Sequence, residues 1–442
     1  MKKQYSLKTT SMSMRHVALA SALCCAGLAQ AQTGEGVTLY GLVDVGVTQV
    51  SGLKAGTVTQ VASGIMEGSR WGIKGNEDMG GGYKAIFTLE ARVEADTGAS
   101  SSRPISGAQL SDRFSQATLL GLTSPSAAIQ GAYQSAVDGV DALLASQFGV
   151  NVTNNVFDRQ AFVGIITPVG AILAGRQYTP GYETFATYDT MGTQSALSAG
   201  QIAQFPAVFE IRASNALAYR IVKDGISGSV MYAPGESALG GDRGQLMGLN
   251  LGYKTGAFSV GFGYNTKNNE LGEKSLTSSV LGASMVMGSS TISTVMATMK
   301  DDNPNGLSVI AANLMLNPTF TGGLGALAAP TAALVQAKFI EAFKQDGTLF
   351  HIGYRYVTGP NTVSVAYNQY DDHRPSDADV SSYGVAYSYA LSKRTDLNAV
   401  VVRFDNKNLA QVAPGGNGYL GGVTASAGTG STGLAFGIRH RF

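Results

Sequence analysis

Residues 434–442 read LAFGIRHRF, and the apolar side chains of this stretch alternate until the chain ends. Leu434, Phe436 and Ile438 fall on one face of an extended strand, and Phe442 is the last residue. Chain termini are the places where folded proteins most often lose order. A strand pattern that continues to the final residue therefore predicts a terminus that is held in a sheet.

The same period of two recurs along the chain. In YKAIFTLEARVE, residues 83–94, one face is apolar at every second position, while the other face presents Lys84, Glu90 and Arg92. Further segments of this kind are VTLYGLVDVGV (37–47), AFSVGFGYN (257–265) and LFHIGYRY (349–356). Alternation over about ten residues is the pattern of strands with one apolar face, and it predicts an all-β fold.

Three features favour a membrane barrel over a soluble β-sandwich, which alternates in the same way. The segments run to about 9–11 residues, the length with which a tilted strand crosses a bilayer, whereas globular strands are most often about 5–6 residues long. Tyrosines cluster at strand ends, and tight turns alternate with long polar connections. We therefore predict a transmembrane antiparallel β-barrel whose last strand pairs with its first, because lipid offers no partner to an open edge.

The first 31 residues have the layout of a secretory signal peptide. A basic start is followed by the apolar run VALASALCCAGL and by small residues at Ala29 and Ala31. The run has 12 residues, which is too short for a transmembrane helix. The sequence therefore predicts a signal peptide at 1–31, cleaved after Ala31, and a barrel domain at 32–442.

Removal of this segment changes the charge and the cysteine content. It contains four of the 31 basic residues and none of the 30 acidic residues, which leaves 27 against 30 and a net charge of −3. This balance gives no indication of nucleic-acid binding. Both cysteines, Cys24 and Cys25, lie in the segment, so we expect the mature chain to be stabilised without disulfides.

Six motifs resemble the general porins of Gram-negative outer membranes. They cover most of residues 35–255 and 348–442. The motifs are VTLYGLVDVGV, SRWGIKGNEDMGGGYKAIFTLE, DRQAFVGI, GRQYTP, YALSKRTDLNAV and GIRHRF.

The resemblance implies a homotrimer of barrels in outer-membrane lipid and lipopolysaccharide. Each barrel would enclose a water-filled pore narrowed by a third loop folded inward, with long external loops on one rim. The resemblance also implies that the terminal Phe442 is recognised by the barrel-assembly machinery. The residues themselves predict no cofactor and no metal, since they contain no zinc-binding spacing and no phosphate-binding loop.

Porins of this family line their constriction with basic side chains, and the resemblance assigns Arg70, Arg176 and Arg212 to it. Arg70 alternates with Trp71 and Ile73, and Arg212 shares its face with Arg220, so both should face the lumen. The two faces of GAILAGRQY are not separable by pattern, and Arg176 rests on the resemblance alone. Arg159 shares its face with apparently outward residues, which predicts a position at the rim.

The remaining charges set the expected selectivity. The inward-folded loop, about residues 177–206, has only two acids, Glu183 and Asp189. A basic wall with little compensation favours anions, so we predict a mild anion preference. The other candidates for lumen-lining residues are Asp44, Lys74, Lys84, Glu90, Arg92 and Arg220.

Two segments leave the strand number and the loop structure open. FSQATLLGLTSPSAAIQGAYQ (114–134) echoes RQAFVGIITPVGAILAGRQ (159–177). If both copies form hairpins the barrel has 18 strands, and if the first lies in an enlarged second loop it has 16, which we favour. The span 301–347 lacks period two and predicts a large external loop with a helix at AALVQAKFIEAF (332–343).

A catalytic function finds little support in the sequence. Beyond the signal segment the histidines are His351, His373 and His440, and only His373 has adjacent carboxylates, at Asp371 and Asp372. Paired aspartates in the loops fit solvated charge better than a calcium site. We predict a passive outer-membrane diffusion pore with no catalytic residues; a substrate-specific porin for a small anion or a sugar is the alternative.

Overall fold

The computed structural model describes residues 36–105, 109–145, 149–202, 210–416 and 420–442. The predicted signal peptide lies outside the described residues. Within them, seventeen strand segments form a single sheet in which neighbours pair antiparallel. The segments are β1 (Gly36–Leu53), β2 (Gly56–Ser63), β3 (Arg70–Gly80), β4 (Tyr83–Arg92), β5 (Gln160–Thr167), β6 (Gly170–Tyr178), β7 (Arg212–Lys223), β8 (Ile226–Ala233), β9 (Leu246–Thr255), β10 (Phe258–Asn268), β11 (Lys274–Met287), β12 (Ser290–Asp301), β13 (Gln345–Thr358), β14 (Asn361–Asp372), β15 (Val380–Ala390), β16 (Thr395–Asn406) and β17 (Ser431–Arg441).

The sheet closes on itself through its first and last strands. β1 pairs with β17 from Leu42↔Arg441 to Ser51↔Thr432. Beyond that ladder, the N–H of Phe442 donates to the Gly41 carbonyl at 3.0 Å, and the N–H of Gly41 donates to the Phe442 carbonyl at 3.2 Å. The strand pattern at the end of the sequence is thereby explained, since the terminal residue belongs to the seam of a closed barrel.

The barrel has sixteen strands because two of the segments form one strand. β1 pairs with β3 over residues 36–42 and with β2 over residues 45–53. β2 and β3 are therefore the two halves of a single barrel strand, which residues 64–69 interrupt. The preferred strand number is confirmed, and the alternative of 18 strands is wrong. The first copy of the echoed sequence, 114–134, lies in the connection between β4 and β5.

Alternation along the strands separates an apolar outer face from a more polar inner face. In β1, Val37, Leu39 and Val47 are exposed on the outside, while Asp44 and Thr48 are fully buried on the inside. The same holds at the seam in β17, where Leu434, Phe436 and Ile438 are exposed. Exposed apolar side chains in such a continuous band are what a barrel presents to lipid.

Tight turns join the strands at one rim, and seven of the eight connections between the described strands at the other rim are longer. The rim with the tight turns includes Gly81–Gly82 and Asp224–Gly225. We number the connections at the opposite rim in chain order: loop 1 (54–55), loop 2 (93–159), loop 3 (179–211), loop 4 (234–245), loop 5 (269–273), loop 6 (302–344), loop 7 (373–379) and loop 8 (407–430).

Loops 2, 3 and 6 contain the helices. Loop 3 has one helix and a 3₁₀ turn at Ala199–Ile202. The helices are α1 (Asp112–Ser115) and α2 (Ala127–Ala145) in loop 2, α3 (Pro180–Tyr188) in loop 3, and α4 (Ile310–Met315), α5 (Pro318–Leu324) and α6 (Ala328–Phe343) in loop 6. The helix predicted at 332–343 is thus present as part of α6.

Loop 3 enters the lumen, and its helix α3 lies against the inner wall. The wall is made of glycine where the helix touches it: a Cβ at Gly261 would lie 2.8 Å from Tyr188, and a Cβ at Gly263 would lie 2.5 Å from Thr184 Oγ1. These residues alternate with the exposed Phe262, so they face inward. Because Gly261 and Gly263 of β10 have no side chains, the wall leaves space for loop 3 to fold inward.

The run Pro318–Phe343 in loop 6 has the length and hydropathy of a membrane-crossing helix. It is divided at Gly325–Leu327, and its inner side chains are buried in a hydrophobic cluster with loop 2. Val335 and Phe339 are fully buried there. The run therefore belongs to a packed assembly of loops.

The seam generates a prediction about stability. Gly46 and Gly437 face each other across it, and a Cβ at Gly437 would lie 3.0 Å from Ile65 and 2.8 Å from the Val45 carbonyl oxygen. We expect Gly437→Val to cost about 1–3 kcal/mol by overpacking. The temperature at which the barrel loses resistance to SDS on a gel should fall.

Gly131→Ala is the matched control, because a Cβ at Gly131 would meet no heavy atom within 4 Å. Equal transition temperatures for the two variants would contradict the tight packing of the seam.

Candidate functional site

Glu90 on β4 lies at the centre of a cluster of basic side chains on the inner wall. Its Oε1 accepts a hydrogen bond from Arg159 Nε at 2.7 Å, and its Oε2 lies 3.7 Å from Arg70 Nε. Tyr40 on β1 donates its hydroxyl to the same carboxylate at 3.1 Å. Arg70 and Glu90 were both predicted to face the lumen, and the register of β3 with β4 brings them together.

The prediction that Arg159 is a rim residue is wrong. Arg159 precedes β5 in a bend, where strand alternation no longer determines direction. Its side chain turns inward to Glu90, and the residue is only 7% exposed. The sequence analysis placed Arg159 on the same face as Ala161, which assumes that the strand already includes residue 159. The strand begins at Gln160, so this alternation does not apply to Arg159.

Tyr178 connects this cluster to Arg212. Its hydroxyl oxygen accepts hydrogen bonds from Arg159 Nη2 at 3.0 Å and from Arg212 Nη2 at 3.2 Å, and Arg212 Cζ lies 4.7 Å from the ring centroid. The Tyr178 ring stacks on Tyr182 of α3 with centroids 5.2 Å apart. Arg212 is therefore held by an aromatic ring at the point where loop 3 leaves the wall.

A second carboxylate cluster surrounds Glu67, a residue that the sequence analysis did not single out. Glu67 Oε1 forms an ion pair with Arg70, and its Oε2 lies 3.1 Å from Arg439 and 3.2 Å from Arg441. Glu67 lies in the interruption between β2 and β3, where period two does not apply. The one available signal was its spacing, three residues before Arg70 in MEGSRWG.

Asp44 fixes the interruption to the wall. Its Oδ2 accepts the N–H of Met66 at 2.8 Å and the N–H of Glu67 at 2.7 Å. Asp44 was predicted to line the lumen, and it does face inward. Asp44 is fully buried. Its carboxylate therefore positions Glu67 and does not contact the water in the pore.

Arg176 does not join the contacts of Arg70 and Arg212. Its Nε donates to the Asp158 carbonyl at 2.7 Å, and its Nη1 donates to Ser214 Oγ at 2.8 Å. The pairing of β6 with β7 is irregular at this level, and Gly175 has a φ of +124°. These two features interrupt the alternation, which is why the sequence pattern could not assign a face to Arg176.

The other predicted lumen residues form pairs with neighbouring groups. Lys84 lies 3.7 Å from Asp78 near the tight-turn rim. The remaining contacts are Lys74 Nζ at 5.2 Å from the Tyr40 ring centroid, Arg92 at 3.1 Å from Glu94 and 3.5 Å from Asp158, and Arg220 in an ion pair with Glu183.

The three acids of loop 3, Glu183, Asp189 and Glu210, are each bound to other groups, and Glu210 lies 2.6 Å from Lys267 Nζ. Besides its pair with Arg220, Glu183 lies 3.5 Å from Asn250 Nδ2, and burial raises the pKa of its carboxyl although Arg220 acts in the opposite direction. Asp189 accepts the backbone N–H groups of Met191 at 3.1 Å and Thr193 at 3.0 Å. Among the described residues, none of these three carboxylates forms an ion pair with Arg70, Arg159, Arg176 or Arg212.

Loop 3 is attached to the far wall through His351 of β13. The imidazole Nε2 accepts the Thr190 N–H at 3.0 Å, so Nδ1 donates to Asn368 Oδ1 at 2.6 Å. Arg355 on the same strand donates to the Thr190 carbonyl oxygen. The role of His351 is consistent with an anchor for the loop.

In the described part of the chain, three arginines of the inner wall have no close carboxylate partner. Among the described residues, no carboxylate oxygen lies within the 4.0 Å salt-bridge distance of Arg176, Arg212 or Arg355. The carboxylates of Glu67 and Glu90 each contact more than one arginine. In a narrow, low-dielectric passage, unpaired guanidinium groups produce a positive potential.

Comparison with known proteins gives one family. The Gram-negative porin family profile matches residues 17–409. An outer membrane porin protein of Bordetella pertussis is 27% identical over 347 residues, which cover 62% of this chain and 84% of that protein. Outer membrane porin protein 32 of Delftia acidovorans is 25% identical over 436 residues, which cover 95% and 97% of the two chains.

The fold agrees with that of solved porins. An anion-selective porin from Comamonas acidovorans superimposes on this chain with a TM-score of 0.65 and 21% sequence identity. The superposition covers 92% of this chain and 100% of the other.

The attachment of loop 3 generates a prediction. Asp189→Ala removes the acceptor of two backbone N–H groups, at a cost of about 1–3 kcal/mol for each donor left unsatisfied. We expect a loosened loop, seen as increased noise and added subconductance levels in single-channel recordings. The control is Asp302→Ala, whose side chain is 64% exposed. If the Asp189 variant showed the same current noise and subconductance levels as the wild type, the anchoring role of Asp189 would be contradicted.

Proposed function

This chain belongs to the Gram-negative porin family, and we propose that its arginine cluster gives the outer-membrane pore a mild preference for anions. The pore allows passive diffusion of small hydrophilic solutes and ions across the outer membrane. Selectivity in such a passage depends on the charge of the groups at its narrowest level.

One observation carries the proposal of anion preference: the guanidinium of Arg212 is held against Tyr178 with no carboxylate partner among the described residues. An arginine paired with an acid adds little net potential, whereas an unpaired one acts with its full charge. Of the loop 3 acids, Glu183 pairs with Arg220, Glu210 pairs with Lys267 and Asp189 accepts backbone N–H groups, so none of them pairs with Arg212. The matched porin of Comamonas acidovorans is described as anion-selective, and we propose the same sign here on the geometry of this chain.

We further propose Arg70, Arg176 and Arg212 as the constriction arginines, with Arg159 added to them. Arg70 and Arg159 share Glu90, which keeps the two like charges close together while neutralising one of them. Arg176, with only neutral oxygen acceptors, contributes its full charge. Two of the four arginines are paired with Glu90 and two have no carboxylate partner among the described residues, which supports a weak rather than a strict selectivity.

A general pore is favoured over a sugar-specific one. A sugar channel would need a path of free aromatic faces and hydroxyls along the lumen. Here the hydroxyls of Tyr40 and Tyr178 are bound to Glu90 and to arginines, and that of Tyr182 is within hydrogen-bond distance of Thr193. Tyr40 and Tyr178 therefore hold charged side chains in place through hydrogen bonds and do not offer free hydroxyls to a sugar.

We infer that transport involves no catalytic step. His373, the one sequence candidate, has an exposed side chain, lying 3.1 Å from Asp346 and 3.7 Å from Asp371. Asp372 is withdrawn from it by Arg374 at 2.6 Å. The arrangement fits a surface ion pair at the base of loop 7.

We also propose the assembly partners that the family resemblance implied. A homotrimer in outer-membrane lipid and lipopolysaccharide fits the continuous apolar outer face. Recognition of Phe442 by the barrel-assembly machinery fits its position at the seam, with its side chain 45% exposed.

Neutralising the three candidate constriction arginines tests the selectivity. We expect Arg70→Gln, Arg176→Gln and Arg212→Gln, combined in one protein, to shift the reversal potential in a tenfold KCl gradient towards cations, because Glu67 and Glu90 then lose positive neighbours. The control is Lys223→Gln at an exposed tight turn. An unchanged reversal potential in the triple variant would exclude the arginine cluster as the selectivity element.

Removing the central acid should have the opposite effect. In Glu90→Gln the amide keeps a hydrogen-bond acceptor for Arg159 but no longer neutralises it. We expect a larger anion preference than in the wild type, measured as a reversal potential closer to the chloride limit. A shift towards cations would mean that Glu90 holds the arginines in place more than it screens them.

A further inference from the structure

Loops 2 and 6 leave the barrel at opposite points of its circumference. Loop 2 connects β4 to β5, and loop 6 connects β12 to β13. Eight strands, β5 to β12, lie between the two loops on one side. On the other side lie β13 to β17, β1, the β2–β3 strand and β4, which is again eight. Half of a sixteen-stranded barrel separates the two loops in each direction.

The two loops nevertheless share one hydrophobic core. Phe114 of loop 2 and Phe343 of loop 6 have ring centroids 4.4 Å apart. Val137 of α2 and Phe339 of α6 are fully buried in the same cluster. Because the loops start at opposite walls, a common core requires that the chain crosses the mouth of the barrel.

Polar contacts tie the crossing to the loops around it. In α1 of loop 2, Asp112 lies 3.1 Å from Lys54 of loop 1, and Arg113 lies 3.8 Å from Asp372 at the end of β14. At the other end, Arg374 of loop 7 donates to the carbonyl oxygens of Ala342 at 3.4 Å and of Lys344. The crossing is thus fixed at several points of the rim.

We propose that loops 2 and 6 form a rigid arch over the mouth, which acts as a size filter in series with the constriction at loop 3. The inference rests on the proposed pore function. It adds a second selective element, which acts on the size of the solute and not on its charge. The core of the arch is apolar, so it excludes by size, whereas the arginine cluster acts on charge. Pore dimensions limit passage independently of the charges that line a channel.

Rigidity follows from the packing of the arch. Opening it would expose side chains such as Val335 and Phe339, which are fully buried, and apolar exposure to water is unfavourable. The arch is therefore a fixed filter and not a gate that opens and closes. Solutes must pass at its sides, and the width left there sets the size limit.

Shortening loop 6 tests the filter. Replacing residues 307–343 by a short Gly/Ser linker removes one side of the arch and leaves every barrel strand in place. In liposome-swelling assays, we expect the permeation rate of raffinose relative to arabinose to rise about threefold or more, because large solutes gain most from a wider entrance. The matched control is a shortened loop 4, residues 234–245, for which the ratio should stay at the wild-type value.

If the protein with the shortened loop 6 does not assemble, a milder variant can still test the size filter. Phe114→Ala combined with Phe339→Ala unpacks the arch while the loop lengths stay the same, and assembly of each variant is checked by its resistance to SDS before heating. An increased raffinose-to-arabinose ratio in an assembled variant supports the filter. A wild-type ratio in an assembled variant overturns it.

The reversal potential in a KCl gradient separates this proposal from the proposed anion preference. Arch variants should keep the wild-type potential while the size ratio changes. Arginine variants should change the potential while the size ratio stays constant. An arch variant with altered ion selectivity and an unaltered size ratio would overturn the size filter.

Discussion

The pairing of β1 with β17 is the constraint on which the rest of this structure depends. In lipid every backbone N–H and C=O needs a partner within the protein, and a sheet meets that condition only when it has no edge. The seam is tight: Gly46 and Gly437 face each other in it, with Ile65 of the interrupted strand packed on both. A closed sheet leaves an interior that the strands line on all sides. Both proposed selective features, the constriction and the arch, are built from segments that enter this interior or cross its mouth.

Several arginines lie close together on the inner wall, and the positions of two glutamates explain how their mutual repulsion is reduced. Glu90 and Glu67 each lie between arginines from different strands, so the repulsion among the guanidinium groups is reduced where it would be strongest. Arg212 differs, because the ring and hydroxyl of Tyr178 hold it instead of an acid. A cation on an aromatic face keeps its charge. The same local chemistry that stabilises the wall therefore leaves Arg212 without a close carboxylate among the described residues, which is the basis of the proposed anion preference.

Sequence reasoning succeeded where a strand is regular and failed where it is not. Arg70 faces inward as its alternation with Trp71 predicted, because β3 is regular there. Arg159 lies in a bend, Glu67 lies in a strand interruption, and Arg176 lies beside an irregular pairing. In each of these places the backbone departs from the period of two, and the face of a side chain can no longer be counted along the chain.

The sequence by itself determined the class of fold and the apolar outer face, because period two and residue type are local properties that can be read from each strand separately. It left the strand number open between 16 and 18. Only the tertiary structure decided which charges are paired, since Glu90 with Arg159 and Glu67 with Arg439 join residues far apart in the chain. It also decided that loops 2 and 6 meet. Their shared core depends on the circular order of the strands, which places the two loops at opposite walls, and no local pattern contains that order.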